Sequence, residues 1–398
     1  MPTFYNYTEN GVVYSFDDVF VPADAFRQGT LFGWGTNTSS QLGDNTAVNR
    51  STPITTFAGS SNWKQISTGS IHTAAIKTDG TLWTWGAAAN GRLGTNDATN
   101  RPTPVTTFAG GTNWKQVACA FSHTLAIKTD GTLWAWGNNT QGQLGDNTSG
   151  NDRTTPVTTF SGGTNWKQVA GGASKSAAIK TDGTLWTWGY NAYGDLGANY
   201  TSTNRITPIT TFAGGTNWKQ CSCGSYHIAA VKTDGTLWIW GRNNVQQLGD
   251  NTSANKPTPI TTFAGGNNWK QVNCSTAISS STAAVKNDGT LWTWGTNSNG
   301  QLGTNDASQR PTPVTTFAGG TNWKQVHIGQ NNSVTVTAAI KTDGTLWTWG
   351  AGASGQLGDN TSVGKSTPVT TFAGGTNWRQ VSCGGAYVSA ITYIDDYQ

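Results

Sequence analysis

Lys77-Thr78-Asp79-Gly80-Thr81-Leu82-Trp83-Thr84-Trp85-Gly86 decides the fold. Leu82 to Trp85 alternates with period two, so Trp83 and Trp85 share one face of a strand, with Leu82 and Thr84 on the other. The Lys-Thr-Asp-Gly run before it is a tight-turn signal, joining a strand over 72–76 to the Trp strand as a hairpin. Working outward, 63–66 reads as another short strand. Residues 52–57 read as a fourth, with Pro53 near its start, where a strand tolerates one. The stretch 90–94 reads as loop, and no segment sustains a 3.6-residue period.

The same sentence is written seven times. The glycine closing W-x-W-G recurs at Gly35, Gly86, Gly137, Gly189, Gly241, Gly295 and Gly350. The tryptophan of N-W-K/R-Q recurs at Trp63, Trp114, Trp166, Trp218, Trp269, Trp323 and Trp378. A period of about 50 residues marks an array of supersecondary units sharing one continuous core. Four strands per unit, seven units and no helix predict an all-β, seven-bladed β-propeller. Trp83, Trp134, Trp186, Trp238, Trp292 and Trp347 are expected to be mostly buried between blades. The last copy ends without a following Trp strand, and the first Trp strand, 30–34, needs a partner. Pairing 386–394 with 30–34 closes the ring and removes an exposed edge. Ala25-Phe26-Arg27-Gln28-Gly29 resembles a degenerate hairpin copy and competes for that slot or forms an outer strand. The domain reading is an N-terminal arm, 1–28, and a propeller, 29–398.

The pattern W-G-x-N-x-x-G-Q-L-G, then T-P-V, then G-x-x-H-T-A-A-I, resembles the RCC1 (regulator of chromosome condensation) repeat over about residues 29–395. That resemblance implies a seven-bladed propeller. It also implies nucleotide exchange on a small GTPase by members with a projecting wedge and a basic tail. Here repeat lengths leave no room for a large insertion. The leader carries Glu9, Asp17, Asp18 and Asp24 against Arg27 alone, the wrong sign for phosphate.

Composition narrows function further. Only 11% of residues are charged, the formal net charge is +4, and the lysines come singly. With no basic run, the charge pattern gives no support for a nucleic-acid or anionic-membrane surface. No stretch is apolar enough to insert in a membrane as a helix, and no secretory signal is visible. Cys119, Cys223, Cys274 and Cys383 share one repeat position with Thr68, Gly171 and Ile328, which reads as a buried strand site. Cys221 and Cys223 face one side of a strand without matching histidines, so neither disulfide framework nor zinc spacing is present. His72, His123 and His227 share a position with Lys175 and Tyr387 and read as structural; His327 is out of register. Asp44, Asp146, Asp250 and Asp359 of G-D-N-T read as turn residues, with calcium ligation as the alternative. No nucleophile–base pair, H-E-x-x-H, phosphate loop or dinucleotide motif appears, so neither catalysis nor a cofactor is expected.

Function is sought where the copies disagree. The segment from the N-W-K tryptophan to the hairpin lysine lengthens in two successive repeats. The loops 275–281 and 330–335 are thus candidate recognition loops, side by side on one face, contributing Ser275, Thr276, Ser279, Ser280, Ser281, Gln330, Asn331, Asn332 and Ser333. A second departure places Tyr190, Tyr193, Asp195 and Tyr200 in one loop region. Loops on a rigid scaffold commonly carry binding. The leader holds Tyr5, Tyr7, Tyr14, Phe16, Phe20 and Phe26, an aromatic set expected to pack on its own propeller or on a neighbour. Val12 to Phe16 has strand character suited to β-augmentation. This leader and the Thr/Asn/Gly-rich body resemble structural proteins of tailed phages. The resulting expectation is a non-catalytic structural or binding propeller, a virion or appendage component. Its partner is a protein, itself, or a cell-surface ligand; an RCC1-like regulator acting on a small GTPase is the alternative, and a cytoplasmic location the alternative to the virion.

Overall fold

Each copy folds as its periodicity dictates. In the first complete copy Trp63–Thr68, His72–Lys77, Leu82–Gly86 and Arg101–Thr106 form one antiparallel sheet in that order. The computed structural model describes residues 29–59, 61–276, 280–329 and 334–393, together with the backbone of Tyr7–Glu9 and Val12–Tyr14. Within it, seven such sheets form the blades of a propeller. Blades I to VI cover 63–106, 114–158, 166–210, 218–261, 269–315 and 323–370. Blade VII is composite: Trp378–Cys383 and Tyr387–Thr392 supply its inner strands, and Leu31–Gly35 and Arg50–Thr55 its outer ones. Leu31 pairs with Ile391 and Gly35 with Tyr387, antiparallel, so the chain ends close the ring as the sequence requires.

The N-W-K/R-Q strand is innermost in every blade, and its exposed edge has a specific solution. Gln65 donates from Nε2 to the Val117 carbonyl (3.1 Å) and accepts the Val117 N–H (2.9 Å). Gln116, Gln168, Gln220, Gln271, Gln325 and Gln380 repeat the clamp on the next blade, and Gln380 returns to Ile66. Seven glutamines thus satisfy inner-strand backbone groups that would otherwise face the channel unpaired.

The core lies between blades. Trp63 packs edge-on against Trp83 (6.4 Å) and tilted against Trp85 (6.0 Å), in a cluster that includes Leu31 and Ile391 of blade VII. The two Trp-strand tryptophans differ in burial. The second, Trp85 and its equivalents, is wholly buried and donates its indole N–H to the loop of the preceding blade, as Trp85 does to the Gln41 carbonyl (3.0 Å). The first, Trp83 and its equivalents, is only partly buried. Its ring is covered by Lys77, whose Nζ lies 4.4 Å from its centroid and 4.9 Å from that of Trp63. The sequence assigned the buried role to this first ring. Alternation puts both rings on one face but does not say which lies nearer the blade edge. The glycine of Q-L-G is fixed by the same packing: Gly43 has φ +69°, and a Cβ there would sit 2.7 Å from the Trp85 indole nitrogen.

Consecutive strands are antiparallel, so the ring has two faces. The loop face carries the inner turns (69–71 and equivalents) and the long loops between third and fourth strands. The turn face carries the K-T-D-G hairpins and the connections from one blade to the next. In the leader, Tyr7–Glu9 pairs with Val12–Tyr14, Tyr7 opposite Tyr14. The strand expected to add to a blade edge is therefore bonded to its own hairpin partner. Tyr5, Phe16, Phe20, Phe26, the degenerate copy 25–28 and the side chains of Tyr7 and Tyr14 lie outside the described residues.

Candidate functional site

The axial channel is a polar lining around a cavity of about 180 Å³. Its walls are six of the clamp glutamines, Asn273, small residues, thiols, one imidazole and valine and isoleucine residues of the inner strands, with no carboxylate or ammonium among them. None of the five cysteines is in a disulfide, and all five are buried. Burial pushes the Cys119 and Cys223 thiols up to about 12, which disfavours a thiolate. His327, out of register by its residue type, occupies the position of Ser67, Ser222 and Asn273. Its Nδ1 accepts the Cys383 N–H (3.0 Å), as Ser67 Oγ accepts that of Cys119 (2.8 Å). Burial lowers it to about 4, so it is a neutral structural acceptor. Among the described residues no cluster of His, Cys, Asp or Glu is arranged to hold a metal.

Under the loop face runs a layer built at the shared histidine position. His72 Nε2 lies 2.9 Å from Thr124 Oγ1, whose hydroxyl is donated to the Arg92 carbonyl. His123 and His227 make the same contact with Ser176 and Thr282, which donate to the Gln143 and Gln247 carbonyls. Because each hydroxyl is spent as donor, each ring must donate from Nε2, leaving a bare Nδ1 without a partner. Burial first, and then the Arg92 or Lys175 cation, lowers His123 and His227 to about 3. These histidines are structural, as their register indicates.

Blade III breaks this layer. Lys175 replaces the histidine and Asp195 replaces the glutamine of G-Q-L-G. Nζ and Oδ1 pair at 2.9 Å with both side chains wholly buried. Lys175 also donates to the Ser225 carbonyl (2.6 Å), and Asp195 Oδ2 accepts the Tyr193 N–H (3.0 Å). Above this pair three half-buried tyrosines meet edge-to-face: Tyr190–Tyr193 at 6.3 Å, Tyr190–Tyr226 at 5.9 Å and Tyr193–Tyr226 at 5.4 Å. The Arg242 guanidinium stacks on Tyr193 (4.9 Å) and Tyr226 (5.1 Å). Burial, reinforced by its tyrosine and aspartate neighbours, raises Tyr190 above its ordinary value, so its hydroxyl stays protonated at neutral pH. The cluster spans blades III and IV on the loop face.

The sequence placed Tyr190, Tyr193 and Asp195 together, and the structure brings the two rings into contact while burying Asp195 beneath them. Tyr200 stands apart. It replaces the threonine of G-D-N-T where Ala198 replaces the aspartate, and its hydroxyl accepts Arg205 Nε (2.5 Å). In other blades that cation pairs with the aspartate, as Arg50 does with Asp44 (2.9 Å). Asp44 also binds Thr46 and Asn37, which accounts for G-D-N-T as turn chemistry. Tyr226 and Arg242 were missed. Tyr226 shares its column with Ile71, Ser122 and Ser174, and Arg242 shares that of Tyr190, Thr36 and Ala87, so comparing repeats column by column marks both as departures.

The lengthened loops are adjacent, as Ser275 Oγ donates to the Gly329 carbonyl (2.9 Å). Their flanks do not form an open rim. Ser275, Thr276, Ser280, Ser281 and Thr335 are buried. Ser225 Oγ donates to the Thr276 carbonyl and Ser225 N–H to that of Ser275, bracing blade IV against blade V. Polarity suggested exposure there, but serine and threonine are small enough to pack where backbone groups need partners. Ser279, Gln330, Asn331, Asn332 and Ser333 lie outside the described residues.

Models of two protein families match the chain. The RCC1-like domain model matches residues 25–335, and the RCC1 (regulator of chromosome condensation) repeat model matches 343–391. The chain belongs to the RCC1 family. It is 30% identical to the ultraviolet-B receptor UVR8 of Arabidopsis thaliana over 349 residues, covering 84% of this chain and 76% of UVR8. It is 30% identical to human HERC2, an E3 ubiquitin-protein ligase, over 375 residues, but spans only 8% of that protein's length. The structure superposes on Prp20p from Saccharomyces cerevisiae with a TM-score of 0.77 at 18% identity, covering 93% of each chain. At that identity the likeness concerns the fold.

Proposed function

We propose that this RCC1-family propeller is a non-catalytic scaffold or regulator that binds a protein partner through Tyr190, Tyr193, Tyr226 and Arg242. The observation that carries the reading is the cluster itself. It combines stacked tyrosines and an arginine at the blade III–IV junction, where the repeat pattern is broken at six positions at once: 175, 190, 193, 195, 226 and 242. Tyrosine and arginine are the residue types that dominate binding energy at protein interfaces. Here they are pre-positioned by a buried ion pair, so little conformational entropy is lost on binding. The non-catalytic part of the reading draws on the channel, whose thiols and histidine are held in unreactive states.

The comparison test is affinity purification of the tagged protein from its own cells. The expected result is a partner retained by the wild type and by a Phe57→Ser control on the turn face, and lost by Tyr193→Ser/Arg242→Ala. An unchanged partner set in the double variant would overturn the site. A small GTPase is the narrower partner implied by the family, and Prp20p is described by its binding to Gsp1p and histones. That reading predicts faster release of bound nucleotide from the captured GTPase when the propeller is added. A virion or appendage role draws only on composition and the aromatic leader, and matches no relative described above.

A further inference from the structure

The turn face carries a feature that folding does not require. Each blade ends in a four-residue turn of the form T-F-A-G or T-F-S-G, closed by a glycine N–H to the threonine carbonyl, 3.1 Å for Gly59 to Thr56 and 3.0 Å for Gly110 to Thr107. The second residue is phenylalanine in all seven copies, from Phe57 to Phe372, and every one of these rings is 64–67% exposed. The backbone is pinned on the other side as well, because Phe57 N–H donates to the Gly43 carbonyl and Phe108 N–H to that of Gly94, both at 2.8 Å. A turn tip ordinarily takes a small polar residue. Presenting a rigid phenylalanine there costs solubility and returns no core packing. The turn follows the outermost strand, so the rings stand at the outer margin of one face, one to a blade.

The same face is basic. The cation of N-W-K/R-Q, Lys64 in blade I and Arg379 in blade VII, lies at the start of each innermost strand, around the channel mouth. Burial and then the neighbouring Lys324 and Lys219 hold Lys270 below its ordinary value, placing these cations within electrostatic reach of one another. Among the described residues Lys64, Lys115, Lys167 and Lys219 have no carboxylate partner. Counting by strand direction among the described residues, thirteen Lys and Arg on the turn face oppose six Asp, against ten and eight on the loop face. The sequence contains no basic run because these lysines are about a repeat apart; the ring collects them.

We infer that the turn face docks peripherally on an anionic lipid bilayer, with the seven phenylalanines entering the headgroup–acyl boundary around a central ring of cations. A second copy stacked face to face would set cation ring against cation ring. A compact protein partner would meet phenylalanines separated by whole blades rather than one apolar patch. A flat, negatively charged, deformable surface meets both features at once, since aromatic rings favour the interface and Lys and Arg are drawn to anionic headgroups. Such docking leaves the Tyr190–Arg242 cluster facing away from the bilayer. The inference stands on the turn face alone and does not depend on what the loop face binds.

The test uses the full chain and sedimentation with large unilamellar vesicles of phosphatidylcholine containing 30% phosphatidylserine. The expected result is binding that falls at least tenfold in pure phosphatidylcholine, and falls steeply between 0.05 and 0.5 M salt as screening shortens the reach of the cations. Phe108→Ser/Phe160→Ser/Phe212→Ser, with unchanged circular dichroism, should lose at least tenfold, as should Lys115→Gln/Lys167→Gln/Lys219→Gln. No binding of the wild type at 0.1 M salt overturns the inference, as does undiminished binding of either triple variant. A wild-type dimer that the phenylalanine variant converts to a monomer, seen by light scattering, would assign the face to self-pairing. Capture of poly-glutamate without vesicle binding would assign it to an acidic protein; either result overturns the bilayer.

Discussion

Lys175 and Asp195 form a buried ion pair at positions where two other blades carry a neutral histidine and glutamine, His123 with Gln143 and His227 with Gln247. Changing both residues to that pattern is the sharpest perturbation the repeat allows. Asp195→Gln alone leaves the Lys175 ammonium wholly buried, with the Ser225 carbonyl and the Tyr226 ring, 5.7 Å away, as its remaining partners. Removing one partner of a buried pair costs about 3–5 kcal/mol, because the other charge is left uncompensated. Lys175→His alone strands the Asp195 carboxylate and should cost a similar amount. The double variant Lys175→His/Asp195→Gln restores a neutral pair that two other blades accommodate, so its cost should be within about 1 kcal/mol of zero. The coupling between the two sites is then several kcal/mol. With an unfolding entropy of about 2.1 cal/mol/K per residue, each single variant should lower the melting temperature by roughly 4–6 °C if the ring unfolds as a unit. Calorimetry of the four proteins measures this. Additive losses, or single variants that melt with the wild type, would refute the assignment of a coupled buried pair.

Other consequences follow from the same geometry. Trp188→Ala should cost about 3–5 kcal/mol, since it removes a wholly buried ring and its N–H bond to Gln143; Trp186→Ala should cost distinctly less, and chemical denaturation ranks the two. Deleting 387–398 removes a central strand of the composite blade, so the whole ring should lose protection in hydrogen exchange rather than fray at one end. The histidines set an acid limit. Their folded pKa values, about 3 for His123 and His227 and about 4 for His327, lie below the unfolded value of about 6.5. The unfolded chain therefore binds more protons between those limits, and stability is full above pH 6.5 and falls as pH falls. Each buried histidine should remove about 2 kcal/mol at pH 5. His123→Asn should flatten that slope, and a pH series of melting temperatures that is level from 7 to 5 would contradict it.

Most of the fold was legible because each copy repeats a two-residue period with its turn signals in place. Ring closure was legible too, since the first Trp strand and the last inner hairpin each lacked a neighbour. What alternation cannot encode is depth. Trp83 and Trp85 share a face, yet only the second reaches under the preceding blade. Contacts between blades were equally hidden. The glutamine clamp joins residues 52 to 56 apart, or 314 where the ring closes, and nothing in N-W-K-Q announces that its amide spans to the next unit. At the candidate site Tyr190 and Tyr193 stood out as departures within one loop. Tyr226 and Arg242 belong to the next repeat, so the cluster appears only once the blades are side by side. The basic turn face was missed because its lysines never adjoin in sequence.

Photo-crosslinking from the Tyr193 position tests the central claim most directly. With p-benzoyl-phenylalanine in place of Tyr193, and in the equivalent position Val245 one blade on, irradiation of living cells reads what touches each place. The account predicts one discrete protein adduct from position 193, absent from position 245 and lost when Arg242→Ala is added. The same adduct from both positions, or none from position 193, would contradict it.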